Sequence, residues 1–188
     1  MSDIVLFVDG SVDPLFQIGM GAYLVLPITY LETPLSCIKK TELQARVRVQ
    51  RFMNTSSTHL EIQSVLWALE EIQNELSDLE LSKIVLVSDS QAVTGLLARR
   101  PGLEAENFLT KKKHQPLQYA ALYRNFYKLH DRLGFEVFKV KGHSNVSVKD
   151  SLQLIFSVVD REARRSLKKW RAVKYPLSQK TGVSQAHE

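Results

Sequence analysis

The first fifty residues follow the apolar patterns of β-strands. Ile4–Val8 is a short apolar run, and Gly19–Leu26 is a second one. Thr41–Gln50 alternates polar and apolar residues, and this period of two predicts a third, half-exposed strand. Because modest links join the three segments, we expect an antiparallel meander, with a surface loop over residues 27–40.

After residue 56 the apolar spacing changes to that of helices. Ser57–Leu76 has apolar residues on one helical face, which predicts an amphipathic helix. Lys83–Val87 has the short apolar character of a buried parallel strand. The same criteria predict three more helices and a fifth strand, namely Ser90–Arg100 (closed by Pro101 and Gly102), Leu117–Leu133, Ile155–Trp170 and the strand Phe135–Val140. The predicted fold class is α/β, with one five-stranded mixed sheet and helices on both faces.

Length and composition indicate one domain. The 188 residues contain no internal repeat, so we expect a domain over residues 1–173 and a flexible polar tail over residues 174–188. The single cysteine, Cys37, excludes an internal disulfide and fits a reducing compartment. Because no apolar run reaches membrane-spanning length and no secretory signal is visible, we expect a cytoplasmic protein without a membrane partner. The net charge of +5 is compatible with nucleic acid as a partner.

Three acidic residues lie at the ends of predicted elements. Asp9 ends the first strand, Glu61 lies in the first turns of the long helix, and Asp89 directly follows the fourth strand. Ligands of α/β sheets gather beyond the carboxyl ends of parallel strands, so these side chains could meet there. Converging carboxylates repel one another unless a cation neutralises them, and a site with only oxygen ligands favours Mg²⁺ or Mn²⁺. Taken singly, each acid has a simpler interpretation as a helix cap or a solvated surface residue.

Four segments, in this order, resemble ribonuclease H of type I: LFVDGS, THLEIQSVLWALEEI, IVLVSDSQAV and FKVKGHS. The resemblance extends from Ile4 to Trp170. It implies the ribonuclease H-like fold and an endonuclease that cuts the RNA strand of an RNA–DNA hybrid. It also implies two divalent ions per site, Mg²⁺ or Mn²⁺, and products with a 5′-phosphate and a 3′-hydroxyl.

The resemblance also implies which residues do the chemistry. Four carboxylates would hold the two ions, namely those of Asp9, Glu61, Asp89 and Asp160. His143 matches a catalytic histidine on the loop after the fifth strand, and it would move a proton or help to release the product. The fourth acid departs from the family's spacing, and Asp150, closer to His143, is a rival. Asp160 is preferred because a helical Arg-Glu-Ala-Arg segment follows it.

A third group of residues would contact the substrate. Its members are Gly10, Ser11, Ser56, Ser57, Thr58, Arg99, Arg100, Lys111, Lys112 and Lys113. Groups near Gly10 and Ser11 would recognise the 2′-hydroxyl that distinguishes RNA from DNA. The hydroxyl residues and the basic segment would contact the DNA strand and its phosphates. The alternatives are a helix cap for the hydroxyl residues and a solvated charge run for the basic ones.

Other functions are compatible with the same residues. The first is a catalytically inactive module of this fold that binds hybrids. The second is another nuclease, although Asp9-Gly10-Ser11 lacks the Asp-x-Glu that related exonucleases have on the first strand. The third is an interaction protein whose acids only cap helices. For the enzyme, the expected oligomeric state is a monomer.

Overall fold

A computed structural model describes residues 2–75, 81–140 and 151–174 of the chain. The five strands are β1 (Ser2–Asp13), β2 (Ile18–Pro27), β3 (Arg48–Met53), β4 (Leu81–Ser88) and β5 (Glu136–Lys139). The helices are α1 (Lys40–Arg46), α2 (Ser57–Glu75), α3 (Gln91–Thr94), α4 (Leu96–Ala105), α5 (Ala120–Leu133) and α6 (Ser151–Lys174). Two 3₁₀ turns, Ile28–Glu32 and Leu35–Cys37, lie between β2 and α1.

The strands form one five-stranded mixed sheet in the order β3-β2-β1-β4-β5. The pairs β1–β2 and β2–β3 are antiparallel, whereas β1–β4 and β4–β5 are parallel. This arrangement confirms the predicted fold class. The central position of β1 follows from its sequence, because a strand buried on both faces needs a continuous apolar run.

Two hydrophobic cores cover the two faces of the sheet. Alternate residues of β1 enter different cores: Leu6 and Val8 join the core under α2 and α5, and Val5 and Phe7 join the core under α6. The helices are therefore on both faces, as predicted. This alternation decides where the residues after Val8 point, because side chains of a strand alternate between faces.

Glycines let α2 approach β1 and β2 closely. A Cβ atom on Gly10 would lie 2.9 Å from the side chain of Leu60, and one on Gly19 would lie 2.6 Å from it. A Cβ atom on Gly21 would overlap the hydroxyl of Ser64, one turn further along α2. The beginning of α2 consequently lies against the sheet at the level of Gly10, which brings the next helical residue, Glu61, to the level of Asp9.

The predicted third strand over Thr41–Gln50 is wrong in position. Residues 40–46 form α1, and β3 begins at Arg48. The error arises because Leu43 and Val47 are four residues apart, a spacing that suits a helical face as well as one side of a strand. Leu43 is fully buried under α6, and the polar residues around it favour a helix. The expected loop over residues 27–40 contains the two 3₁₀ turns.

The predicted closure of a helix at Pro101 and Gly102 is also wrong. The segment forms two helices, and Pro101 lies inside α4. Proline cannot donate a hydrogen bond to the preceding turn, but its fixed φ suits a helix, so the chain continues to Ala105. An ion pair of 2.7 Å between Arg100 and Glu104 joins the residues on either side of the proline.

The last two helices differ from prediction only in their bounds. The helix expected from Leu117 begins at Ala120, and the one expected over Ile155–Trp170 extends over Ser151–Lys174. In the parts of the chain that the structure describes, no helix has both the length and the apolar character needed to cross a membrane.

The close approach of α2 can be tested at Gly21. The change Gly21→Ala should lower the free energy of unfolding by about 1–3 kcal/mol, since the new methyl group would crowd Ser64 and the ring of Phe52. Gly102→Ala is the control, because a Cβ atom there meets nothing within 4 Å. It should be neutral or stabilising by up to about 1 kcal/mol. Urea denaturation measures both, and equal effects would contradict the packing argument.

Candidate active site

Asp9 lies on the sheet face that α6 covers. It follows Val5 and Phe7 at alternate positions of β1, and it pairs in register with Ala22 of β2. Gly10 points to the opposite face, against Leu60 of α2. Asp9 is half-buried, so its charge is only partly solvated. The apolar strand therefore carries a carboxylate to the border of the core.

Asp89 reaches the same level on the neighbouring strand. The parallel register pairs Phe7 with Val87, so that two further residues on each strand bring Asp9 and Asp89 side by side. Neighbouring strands are about 4.8 Å apart. The cap of α3 is Ser90, whose hydroxyl accepts a hydrogen bond of 3.2 Å from the N–H of Val93. The helix-cap interpretation of Asp89 is therefore unnecessary.

Asp160 comes to the same place from α6. Its carboxyl group is hydrogen-bonded to that of Asp9. It also forms an ion pair of 2.8 Å with Arg164, one turn further along the helix, and its side chain is 24% exposed. Asp160 therefore forms an ion pair on its own helix and also lies next to Asp9. Asp150, the rival fourth acid, and His143 lie outside the described residues.

The surroundings of Asp9 change its protonation. Burial raises the pKa of Asp9 to about 8, although the N–H of Gly10 acts in the opposite direction by hydrogen-bonding the carboxylate. The negative charges of Asp89 and Asp160 raise the pKa further. With a pKa of about 8, Asp9 is mostly protonated at neutral pH when no cation is bound.

Glu61 approaches this group from the opposite side of the sheet. Its Oε2 accepts a hydrogen bond of 2.6 Å from the hydroxyl of Ser90, and its Oε1 accepts one of 3.3 Å from Ser57. Because Ser90 directly follows Asp89, these bonds hold Glu61 at the carboxyl end of β4. Sequence reasoning missed Ser90. A serine immediately before a helix is a capping signal, but its second bond, to Glu61, comes from the tertiary structure.

The oxygen atoms of these four acids suit a hard divalent cation. Among the described residues, however, no three acidic, histidine or cysteine side chains form a ready-made metal cage. Asp160 pairs with Arg164, and Glu61 accepts a hydrogen bond from Ser90. A donor set of carboxylate oxygens favours Mg²⁺ or Mn²⁺ over zinc. The donor set fits such ions once the side chains exchange these partners.

The predicted hydroxyl residues lie in the first turn of α2 or just before it. The hydroxyl of Ser56 accepts a hydrogen bond of 3.4 Å from the N–H of His59 near the start of α2, and it is 3.0 Å from the hydroxyl of Tyr119. Ser57 binds Glu61, and Thr58 is half-buried. The contact with Tyr119 joins the start of α2 to the chain just before α5.

The two predicted arginines interact with the protein itself. Arg100 forms a bidentate ion pair with Asp131, with one N–O distance of 2.8 Å, and lies 5.0 Å from the ring centre of Tyr127. Arg99 donates hydrogen bonds of 3.0 and 3.3 Å to the carbonyl groups of Ala92 and Gly95. These bonds fix both side chains on the surface of α4.

The predicted lysines lie on a structured loop. Lys111, Lys112 and Lys113 are exposed between α4 and α5. The N–H of Thr110 donates to the carbonyl of Gln115 at 2.8 Å, and a bridge between residues 109 and 116 closes the loop. Within the described part of the chain, none of the three lysines has a carboxylate at ion-pair distance. Their charges therefore face solvent.

Comparisons with known proteins give consistent results. Residues 1–165 match the family model described as RNase H. The fold is similar to the solution structure of the PFV RNase H domain, with a TM-score of 0.62 and 13% identity over 87% of this chain and 93% of that one. It is also similar to the foamy viral protease-reverse transcriptase in complex with dsDNA, with a TM-score of 0.59 and 14% identity over 87% and 96%. No curated protein matches the sequence.

The double role of Ser90 predicts a loss of stability. Ser90→Ala removes the cap of α3 and the hydrogen bond to Glu61, so the free energy of unfolding should fall by about 1–2 kcal/mol. Ser57→Ala is the matched control, because it removes the other, exposed hydroxyl bound to Glu61 and should stay within about 0.5 kcal/mol of wild type. Urea denaturation compares the two, and a loss as large in Ser57→Ala would argue against a special role for Ser90.

The raised pKa of Asp9 predicts how stability depends on pH when a chelator removes metal ions. Between its ordinary value of 3.8 and about 8, folded Asp9 keeps a proton that the unfolded chain has lost. Raising the pH through this window therefore favours unfolding, and the stability of the wild type should decline from pH 5 to pH 8. Asp9→Asn should reduce this decline, as measured by the urea midpoint.

The control for this experiment is Asp131→Asn. Hydrogen bonds from Arg100 lower the pKa of Asp131, so this group titrates below the window. The variant should keep the wild-type decline between pH 5 and pH 8. If Asp9→Asn were instead much less stable than wild type at pH 8, Asp9 would have a structural, capping role.

Proposed function

This chain belongs to the ribonuclease H family, and on that premise we propose that it is an endoribonuclease that cuts the RNA strand of RNA–DNA hybrids. The proposed products carry a 5′-phosphate and a 3′-hydroxyl. The observation that supports this most directly is the meeting of Asp9, Asp89 and Asp160 from two strands and a helix. A stable fold gains nothing from three mutually repelling carboxylates, so their proximity favours a role in binding cations.

In this proposal Asp9, Glu61, Asp89 and Asp160 hold two Mg²⁺ ions, with Mn²⁺ as a possible substitute. When bound, the ions supply an activated water and neutralise the charge that develops on the leaving 3′ oxygen. On binding a cation, Asp9 would lose the proton that its raised pKa lets it keep. Asp160 would exchange its contact with Arg164 for a contact to the cation.

Two neighbouring residues support these ligands. Ser90 holds one oxygen of Glu61 and leaves the other within reach of Ser57, so it orients the carboxylate from α2. We assign His143, which lies outside the described residues, a part in moving protons or releasing product, because histidine titrates near neutral pH.

The substrate proposal follows from the surface around the carboxylates. Gly10 and Ser11 continue β1 beyond Asp9 and would contact the RNA strand. The contact between Ser56 and Tyr119 extends the surface from the start of α2 towards the loop of Lys111, Lys112 and Lys113. These hydroxyl groups and lysines would hold the DNA strand. A structural relative in complex with dsDNA supports a nucleic-acid duplex as the partner.

Arg99 and Arg100 have a more limited part in this proposal. Their guanidinium groups already bind carbonyl groups and carboxylates of the protein. A phosphate contact would use only their remaining N–H groups. We therefore propose that the lysine loop, rather than these arginines, makes the stronger contact with the DNA strand.

A second candidate function is binding of hybrids without cleavage. It is favoured by one observation, the 2.8 Å ion pair that joins Asp160 to Arg164 and competes with metal binding. Incubation of a labelled hybrid with the full chain in Mg²⁺ and in Mn²⁺ separates the two functions. Binding without any cleavage in either metal would favour the inactive module.

Asp160→Asn tests the proposed enzyme at its least certain ligand. The rate of hybrid cleavage should fall by at least roughly 100-fold, since removing a ligand should cost no less than disturbing an outer-shell partner. Glu162→Gln is the matched control, because Glu162 lies on the same helix and also pairs with an arginine, at 3.5 Å from Arg165, and no metal-binding part is proposed for it.

The control should keep wild-type activity. Both variants should have nearly unchanged melting temperatures, because exposed ion pairs of this kind contribute little to stability. If Asp160→Asn remained fully active while Asp150→Asn lost activity, Asp150 would be the fourth ligand. If the wild type itself cleaved no hybrid, and the acid variants did not differ from it, the proposal of an enzyme would fail.

A further inference from the structure

Positive charge is concentrated on the second half of α6. Positions 161–174 contain seven basic residues and one acidic residue, a net charge of +6. The whole chain has a net charge of +5, so the rest of it is slightly acidic. The basic character of the protein thus comes from one helical segment, which begins directly after Asp160.

Part of this charge lines a groove. The turn between β1 and β2 forms one wall through Leu15 and Phe16, and α6 forms the other through Arg164, Lys168 and Arg171. We call this the α6 groove; its volume is about 750 Å³. Further basic residues of α6, namely Arg161, Arg165 and Lys169, do not line the groove.

The α6 groove starts one helical turn beyond the carboxylates and runs away from them. Its first lining residue on α6 is Arg164, which pairs with Asp160. At its far end Arg171 forms an ion pair of 3.1 Å with the buried Asp13. From Arg164 to Ala172 the groove follows about 12 Å of α6, and the path along β1 from Asp9 to Asp13 is about 13 Å long.

The walls of the groove are fixed by packing. Asp13 accepts backbone hydrogen bonds from Leu15 at 3.1 Å and Phe16 at 3.4 Å, which shapes the turn. The ring of Phe16 meets that of Trp170 edge to face, with 6.1 Å between their centres. The groove therefore exists without any rearrangement of the hairpin against α6.

Lys168 is the cation in the groove with the least compensation. Arg164 and Arg171 are paired with Asp160 and Asp13. Among the residues that the structure describes, no carboxylate lies at ion-pair distance from the exposed side chain of Lys168. A polyanion in the groove would therefore find one fully available charge, flanked by two arginines with N–H groups to spare.

We propose that the α6 groove binds the backbone phosphates of the RNA strand of the bound hybrid, beyond the point of cleavage. This inference rests on the proposed function, which places the scissile phosphate at Asp9 and Asp160. The phosphates that continue from there along the groove belong to the strand that is cut. With one phosphate per about 3.4 Å of each strand, about 12 Å of groove accommodates about three to four of them.

The first experiment measures binding of a hybrid to the full chain carrying Asp9→Asn, so that the substrate stays intact. On this background Lys168→Gln should weaken binding about five-fold at 0.1 M salt. It should also reduce the dependence of log K on log salt by about one. Lys169→Gln is the matched control on the adjacent position, outside the groove, and should leave both quantities within two-fold of the parent.

The second experiment identifies the strand. Single uncharged methylphosphonate linkages are placed in the RNA strand or in the DNA strand, within five nucleotides of the cleavage point. An uncharged linkage in the RNA strand should weaken binding of the parent but cause little further loss in Lys168→Gln, because the two changes remove the same contact. An uncharged linkage in the DNA strand should weaken both proteins equally.

Three results would overturn the proposed binding of RNA in the α6 groove. The first is an equal loss of hybrid affinity in Lys168→Gln and Lys169→Gln, and the second is coupling of Lys168 to the DNA strand. The third is an affinity of Lys168→Gln that equals that of the parent. Lys168 is exposed, so its substitution should leave the melting temperature unchanged. Failure of the proposed function is a separate result. If the wild type never cut a hybrid, the proposal of an enzyme would fail, but coupling of Lys168 to the RNA strand would still support binding of that strand in the groove.

Discussion

Repulsion among half-buried carboxylates is the constraint on which the candidate site depends. Parallel pairing of β1 with β4 sets Asp9 and Asp89 at one level, and α6 adds Asp160. Burial, and to a smaller extent the charges of Asp89 and Asp160, raise the pKa of Asp9 to about 8. The rest of the sheet must therefore be stable enough to hold these groups together. Two apolar cores, one on each face, provide that stability.

The same constraint explains how α2 contributes from the other face. Gly10 and Gly21 remove the side chains that would separate the helix from β1 and β2. The helix can then begin level with Asp9, and Ser90 receives Glu61 at the end of β4. A bulkier residue at either glycine would move the start of α2 outwards. Packing at the sheet surface and the geometry of the site are thus coupled through Leu60 and its neighbours.

Much of the fold follows from local pattern, but parts of the site do not. Continuous apolar runs correctly predict the strands β1 and β4, both of which lie inside the sheet, and the motif order indicates the family. The pattern failed at Thr41–Gln50, where Leu43 fits two periods, and at Pro101, which a helix tolerates when its φ is suitable. The bond from Ser90 to Glu61 joins residues 29 positions apart, so no local signal contains it.

The distribution of charge along α6 has a consequence for how a polyanion would meet this surface. Asp160 belongs to the acidic cluster, which repels phosphate until cations neutralise it. From Arg164 onwards the helix is strongly basic and attracts phosphate directly. A nucleic acid held only by the carboxylates would depend wholly on bound cations. One that also contacts the basic part of α6 would be oriented before the cations complete the site, because one rigid helix carries both groups. In this arrangement the basic part of α6 would bind the nucleic acid, and Asp160 at its other end would hold the cations. Arg164 lies at the boundary between these two parts, where it pairs with Asp160.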